Sequence, residues 1–190
     1  MPDKPNVILD IVVCTFKQDH QLKCLVESFL CQTNPSWRML IIHDGPDMPE
    51  FLKKKPKDKR ITVFSTPTRY NDYGHSLRDI GLKRIQDDSY YTLLTNGDNY
   101  YPPVFIDEMC MFKEDLVYCN LVHNHWKYEA RESAMHRRGI DIGCAVVRTD
   151  IAKKVGFPRR DFAADWFYFE EILKLNPTIR KVNKVLFVHN

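Results

Sequence analysis

The sequence predicts an α/β protein in which a mostly parallel sheet carries helices on both faces. Three observations lead there. The first half alternates short apolar runs with segments of helical spacing, in β-α-β-α-β order. Two of the apolar runs break into polar turns carrying acids, Asp44 and Asp98, at the strand ends where open α/β sheets bind their ligands. At 190 residues, 44% hydrophobic and 28% charged, the chain has the size and composition of one domain with a real core.

Residues 7–14, Val7-Ile-Leu-Asp-Ile-Val-Val-Cys14, read as a first strand interrupted only by Asp10. Leu22, Leu25, Val26, Phe29 and Leu30 then recur at helical spacing, which predicts an amphipathic helix over 19–32, stopped by Asn34-Pro35. A second strand over 37–43 runs into Asp44-Gly45-Pro46-Asp47, a turn headed by an acid. After a short helical piece, the basic run Lys53-Lys-Lys-Pro-Lys-Asp-Lys-Arg60 leads to a third strand over 61–65. Asn71-Asp-Tyr-Gly74 introduces a helix with Leu77, Ile80, Gly81, Arg84 and Ile85 on one face. The strand over 90–95 breaks into Asn96-Gly97-Asp98-Asn99, four small polar residues that favour a tight turn. Pro102-Pro103 closes that turn and starts a helix over 104–112.

The second half is less regular. Residues 115–122 are strand-like, and the alternation in His123-Asn-His-Trp-Lys-Tyr128 predicts an edge or hairpin strand. Residues 129–138 are polar and charged, a loop, and 140–147 return as a strand around Gly143. A short helix over 150–155 ends at Gly156. Trp166, Phe169, Ile172 and Leu173 mark one face of a helix over 163–175, and 182–188 is a last strand.

A net charge of +3 is too small to argue for nucleic acid. Its excess sits in the basic run at 53–60, a solvated loop or at most a peripheral contact with an anionic membrane. The six cysteines, at 14, 24, 31, 110, 119 and 144, include no Cys-x-x-Cys pair and lie mostly in apolar runs. That pattern suits free thiols in a reducing compartment better than a disulfide framework or a zinc site. Residues 1–6 are polar, no secretory signal is visible, and no apolar run approaches a membrane span. The expected location is cytoplasmic.

Three acids stand at element ends: Asp44, Asp98 and Asp165. Asp98 is the candidate to meet a metal ion and a diphosphate, because one or two carboxylates suffice when phosphates supply the other oxygens. The cation offsets charge on a diphosphate leaving group. A separate carboxylate within hydrogen-bond reach can deprotonate an attacking hydroxyl. Each acid also has a plain reading, as a turn residue or, for Asp165, as a favourable charge at a helix start.

The order of these pieces resembles the family 2 glycosyltransferases of the GT-A fold, from about residue 8 to the C-terminus. Ile11-Val-Val-Cys-Thr-Phe-Lys17 through Ser28-Phe-Leu-Cys-Gln-Thr33 is similar to that family's opening strand and helix. His43-Asp44-Gly45-Pro46-Asp47 resembles its "D-D-G-S-x-D" turn, with His43 in place of the first acid and Pro46 in place of the serine. Residues 71–82 resemble "N-x-G-x-x-x-A-R-N-x-G", with Arg78 on the arginine and Asp79 on the usual asparagine. Asn96-Gly97-Asp98 falls on the "D-x-D" signature, its first acid replaced by Asn96. Asp141-Ile-Gly-Cys-Ala-Val-Val-Arg148 resembles the acceptor-side strand, and Ala164-Asp165-Trp166 the "E-D-W" segment, with alanine for the glutamate.

The resemblance implies a Rossmann-like three-layer GT-A sandwich over residues 1–190, with 1–101 as the nucleotide-sugar half and 102–190 as the acceptor and catalytic-base half. It implies an inverting transfer of sugar from a nucleoside-diphosphate sugar, a UDP-sugar as first guess, to a hydroxyl acceptor in glycan or polysaccharide building. Asp165 would be the catalytic base. Thr15, Phe16, Asp44, Arg78, Asn96, Gly97 and Asp98 would form the donor site, and Gly143, Cys144 and Trp166 the acceptor side. Asp98 and His189 would hold a divalent cation, Mn²⁺ or Mg²⁺.

Two other classes compete with this reading, and the sequence argues against the second of them. The chain reads also as a non-catalytic nucleotide-sugar or glycan-binding module of a longer protein, which the exchanges at positions 96 and 164 favour. A nucleotidyltransferase would want a glycine-rich loop after the first strand, and Cys14-Thr-Phe-Lys-Gln-Asp19 contains no glycine. His123, His125, Trp126 and Tyr128 read either as walls of a sugar site or as edge packing.

Overall fold

The computed structural model describes residues 7–54, 56–161 and 163–190. Residues 1–6, read above as a polar start, and Lys55 of the basic run lie outside the described residues.

In chain order the elements are β1 (Val7–Thr15), α1 (Asp19–Leu30), β2 (Trp37–His43), α2 (Glu50–Lys53), β3 (Ile61–Ser65), α3 (His75–Arg84), β4 (Ser89–Asn96) and α4 (Phe105–Cys110). Then come β5 (Leu116–His123), β6 (Ala130–Arg131), β7 (Ala145–Arg148), α5 (Thr149–Val155), α6 (Ala164–Leu173) and β8 (Ile179–His189). They build one eight-stranded sheet in the order β3-β2-β1-β4-β7-β5-β6, with β8 also paired to β5. The pairs among β3, β2, β1 and β4 are parallel, as is β5 with β8. β7 enters antiparallel to both β4 and β5. The result is the mixed, largely parallel sheet that the sequence predicts.

Alternation along β1 explains why helices cover both faces. Leu9, Ile11 and Val13 face a core shared with Leu22, Leu25 and Phe29 of α1 and with Phe105, Ile106 and Met109 of α4. Val12 and Cys14 face the opposite core, with Leu77 and Leu82 of α3, Ile151 of α5, and Phe169 and Ile172 of α6. Both sets are buried, so neither face of β1 meets water. Asp10, the one charge in this strand, is buried and takes two bonds of 2.9 Å from Arg38 of β2. The pair is thereby satisfied rather than left as a lone buried charge.

Two sequence expectations differ from the structure in the second half. Residues 123–128 are not a strand. β5 ends at His123, whose ring accepts from the His125 N–H, and Asn124–Trp126 is a 3-10 turn. Lys127 and Tyr128 follow in the left-handed region at φ +54° and +59°, which no strand tolerates. The strand expected over 140–147 begins only at Ala145, because Asp141 accepts from the Gly143 N–H at 2.8 Å and holds Ile142–Cys144 in a 3-10 turn. Residues 130 and 131, inside the expected loop, pair with Leu121 and Val122.

Among the described residues, no helix is long and apolar enough to cross a membrane.

Candidate active site

Two cavities open at the carboxyl-terminal ends of the parallel strands, and Arg78 links them. The first, about 450 Å³, is lined by Thr15 and Phe16 after β1, Asp44 after β2, Asn96 and Asp98 after β4, and by Gln18, Arg69 and Tyr73. The second, about 790 Å³, is lined by His123, Trp126, Asp141, Asp165, Trp166 and the basic segment at 131–138.

Asp44 organises one wall of the first cavity. Its carboxylate is buried and accepts the backbone N–H groups of Tyr70 (2.7 Å) and Asn71 (3.0 Å), which fixes the loop between β3 and α3. Arg69 lies 4.0 Å from the same carboxylate and 3.7 Å above the Phe16 ring. Lys17, Asn71 and Tyr73 around this cavity hold positive φ values of 51°, 54° and 59°. Such strained backbone persists only where the surroundings over-determine it, and it concentrates at functional sites.

Asp98 hangs from the end of β4. The close approach of β1 explains the glycine before it: a Cβ on Gly97 would fall 2.8 Å from Thr15 Oγ1 and 2.9 Å from its Cβ. The Gly97 N–H continues the ladder to the Cys14 carbonyl at 2.9 Å. Gln18, which accepts from Thr15 at 3.3 Å, donates to Asp98 Oδ2 at 2.7 Å. Burial pushes the Asp98 carboxyl above its ordinary range, opposed by the nearby His189 charge and the Gln18 bond. A half-buried carboxylate with one neutral donor fits a divalent cation, which would relieve the cost of its charge. Among the described residues no three His, Cys, Asp or Glu side chains converge on such an ion. Its remaining ligands would therefore come from phosphate oxygens and water.

Arg78, on α3, is 1% exposed. It donates to Asn96 Oδ1 (2.8 Å) and to the Tyr73 carbonyl (3.2 Å), contacts His75 Nδ1 (2.7 Å), and lies 3.6 Å from Asp165 Oδ1. Asn96, where the resemblance expects an acid, is thus a neutral acceptor for a buried cation. Burial and the neighbouring guanidinium lower the His75 pKa.

Asp165 occupies the first turn of α6 and lines the second cavity together with Trp166. One of its oxygens is buried without a hydrogen-bond partner, as is Nδ1 of His189. His189 ends β8, stacks on His123 at 3.9 Å between ring centres, and lies 3.6 Å from Asp141. Burial raises the Asp141 carboxyl, with the His189 charge opposing.

Gly143 and Cys144 depart from the expected acceptor-side placement. Cys144 is fully buried, and a Cβ on Gly143 would meet the Phe187 ring at 2.6 Å. The Gly143 carbonyl accepts from Tyr101 at 3.0 Å, so this segment packs the core behind the site and neither residue lines either of these two cavities. Nothing in the sequence points to Gln18 or Arg69, and the one signal for Asp141 is its place at the head of the segment that resembles the acceptor-side strand.

The profile of glycosyl transferase family 2 matches residues 10–179. The chain belongs to that family. A search of curated proteins finds no match. Among solved structures, S. aureus TarS 1-349 in complex with UDP-GlcNAc aligns at 15% identity and a TM-score of 0.75, over 96% of this chain and 58% of that one. The complex of the same protein with UDP aligns at 16% and 0.76, over 96% and 60%. The mannosyltransferase PcManGT from Pyrobaculum calidifontis, in complex with GDP-Man and Mn²⁺, aligns at 12% and 0.72, over 98% and 58%. At these identities the likeness establishes the fold, that of GT-A glycosyltransferases. The family 2 chain described here spans 60% or less of the length of these structures.

Proposed function

We propose that this chain is the catalytic domain of an inverting glycosyltransferase, moving a sugar from a nucleoside-diphosphate sugar to a hydroxyl acceptor in glycan or polysaccharide building. The observation that carries the reading is the placement of two carboxylates, Asp98 and Asp165, on adjoining cavities bridged by the buried Arg78. Family membership supports it, and so do relatives of this fold with UDP-GlcNAc or GDP-Man bound.

The first cavity takes the donor. Asp44 and Thr15 hold the base and ribose, with Phe16 and Arg69 as an apolar and cationic wall. Asp98, with His189 near it, would hold Mn²⁺ or Mg²⁺, whose positive charge would offset that of a nucleoside-diphosphate leaving group. Arg78 adds a fixed cation on the same side. Asp165, which lines the second cavity with its side chain 33% exposed, accepts the proton of the acceptor hydroxyl. Trp166 borders the acceptor. Six free cysteines agree with a cytoplasmic location.

The test is release of nucleoside diphosphate from UDP- and GDP-sugars, with calorimetric titration of UDP and GDP with and without Mn²⁺. Asp98→Ala and Asp165→Asn should each abolish transfer, and only Asp98→Ala should weaken metal-dependent nucleotide binding. Equal nucleotide affinity in the two variants would sink these assignments. Nucleotide binding without turnover in the wild type would instead favour a binding module, the reading that Asn96 and Ala164 suggest.

A further inference from the structure

The second cavity contains more cationic groups than its own acids use. Each acid in its wall has a basic partner on the protein. Asp165 lies 3.6 Å from Arg78, Asp141 lies 3.6 Å from His189, and Glu132 lies 3.1 Å from Lys181. Arg131, 5.1 Å above the Trp126 ring, pairs with Glu129 at 3.6 Å. Arg137 and Arg138 are different. Both line the cavity with exposed guanidinium groups, and among the described residues neither side chain makes a hydrogen bond or ion pair.

We infer that the acceptor of this enzyme is an anionic sugar, carrying a phosphate or a carboxylate that Arg137 and Arg138 bind while its hydroxyl reaches Asp165. The inference rests on the transferase reading and adds the acceptor's chemical class. Guanidinium groups present planar paired donors that match carboxylate and phosphate oxygens, and neutral sugars offer them no such partner. Trp126 and Trp166 in the same wall supply aromatic faces for a sugar ring. The chain's small net charge makes a concentration of unpaired cations in one cavity a local feature rather than an overall basicity.

The experiment titrates the full chain with glucose, glucose 6-phosphate and glucuronic acid, with and without UDP or GDP and Mn²⁺. The same titrations are run on the Arg137→Gln/Arg138→Gln double variant, whose exposed positions leave the core intact. Wild-type protein should bind one or both anionic probes about tenfold more tightly than glucose, from two charge-assisted contacts. The phosphate and carboxylate arms separate the two sources of charge. That preference should weaken at high salt and disappear in the double variant, with nucleotide affinity unchanged. Equal affinity for glucose and both anionic probes overturns the inference. So does a variant that loses all three probes alike, absence of any anionic binding at millimolar concentration, or Arg-dependent binding to phosphatidylglycerol vesicles without discrimination among the sugars. Failure of every nucleotide to bind would instead remove the transferase reading, and the sugar arms still report separately on the cavity.

Discussion

Arg78 Nη1 lies 3.6 Å from Asp165 Oδ1, a contact that ties α3 to the first turn of α6 across the boundary between the two cavities. The same guanidinium donates to Asn96 at the end of β4, so one buried cation spans the strand end that carries Asp98 and the helix that carries Asp165. A cation in that place joins the end of β4 to the start of α6 through Asn96 and Asp165. It also explains why the first position of the acidic signature tolerates asparagine, since Asn96 serves here as an acceptor for Arg78.

Removing Arg78 should therefore destabilise the fold as well as the site. Arg78→Ala leaves Asn96 and the Tyr73 carbonyl without their shared donor and Asp165 without its ion-pair partner, in a position 1% exposed. Breaking a buried charge network from one side costs about 3–5 kcal/mol, or roughly 6–20 °C in Tm for a chain of this size. Arg78→Met fills the space without the charge and should recover only part of that loss. Thermal denaturation of both variants checks it; a Tm within 2 °C of wild type for Arg78→Ala would show that the network carries no stability.

Cys14 lines the donor cavity yet should not behave as a reactive thiol. Its side chain is buried, and burial pushes the thiol up to about 12, so that roughly one molecule in ten thousand carries the thiolate at pH 8. Cys24 and Cys31 are exposed, whereas Cys110, Cys119 and Cys144 are buried. Brief treatment with iodoacetamide at pH 8 should modify two cysteines per chain, at 24 and 31, as read by peptide mass spectrometry. Modification of Cys14 at a comparable rate would mean that the ends of β1 and β4 separate in solution.

Local pattern made the first half of the fold legible and left much of the second half hidden. β1 and β4 are largely apolar or β-branched runs, broken in β1 only by Asp10, and a buried parallel strand leaves that trace without help from its neighbours. Asp44 and Asp98 stand out because each follows such a run inside a polar turn. Asp141 sits within an apolar stretch, and its effect comes from its bond to the Gly143 N–H and from His189, 48 positions away. Gln18 reaches Asp98 across 80 positions, a contact with no local signature. At residues 123–128, alternating rings imitate a strand, but the left-handed backbone at Lys127 and Tyr128 is set by the surrounding fold.

Two glycines separate effects on the fold from effects on the site. A Cβ at position 81 of α3 would fall 2.2 Å from Val12 Cγ1, in the core between that helix and β1 and away from both cavities. Gly81→Ala should cost about 1–3 kcal/mol through overpacking and leave nucleotide affinity unchanged at temperatures where the variant stays folded. A Cβ at position 97 meets Thr15 instead, 2.8 Å from Oγ1, with Gln18 Oε1 at 3.2 Å. Gly97→Ala should cost a similar amount, because the strand ends must part. It should also displace Thr15 and Gln18, and with them the bond to Asp98, so that metal-dependent nucleotide binding falls about tenfold or more. Denaturation midpoints and nucleotide titrations on the two variants distinguish these outcomes. Equal nucleotide affinity in Gly81→Ala and Gly97→Ala would show that the Thr15-Gln18-Asp98 chain does not set the geometry of the donor cavity.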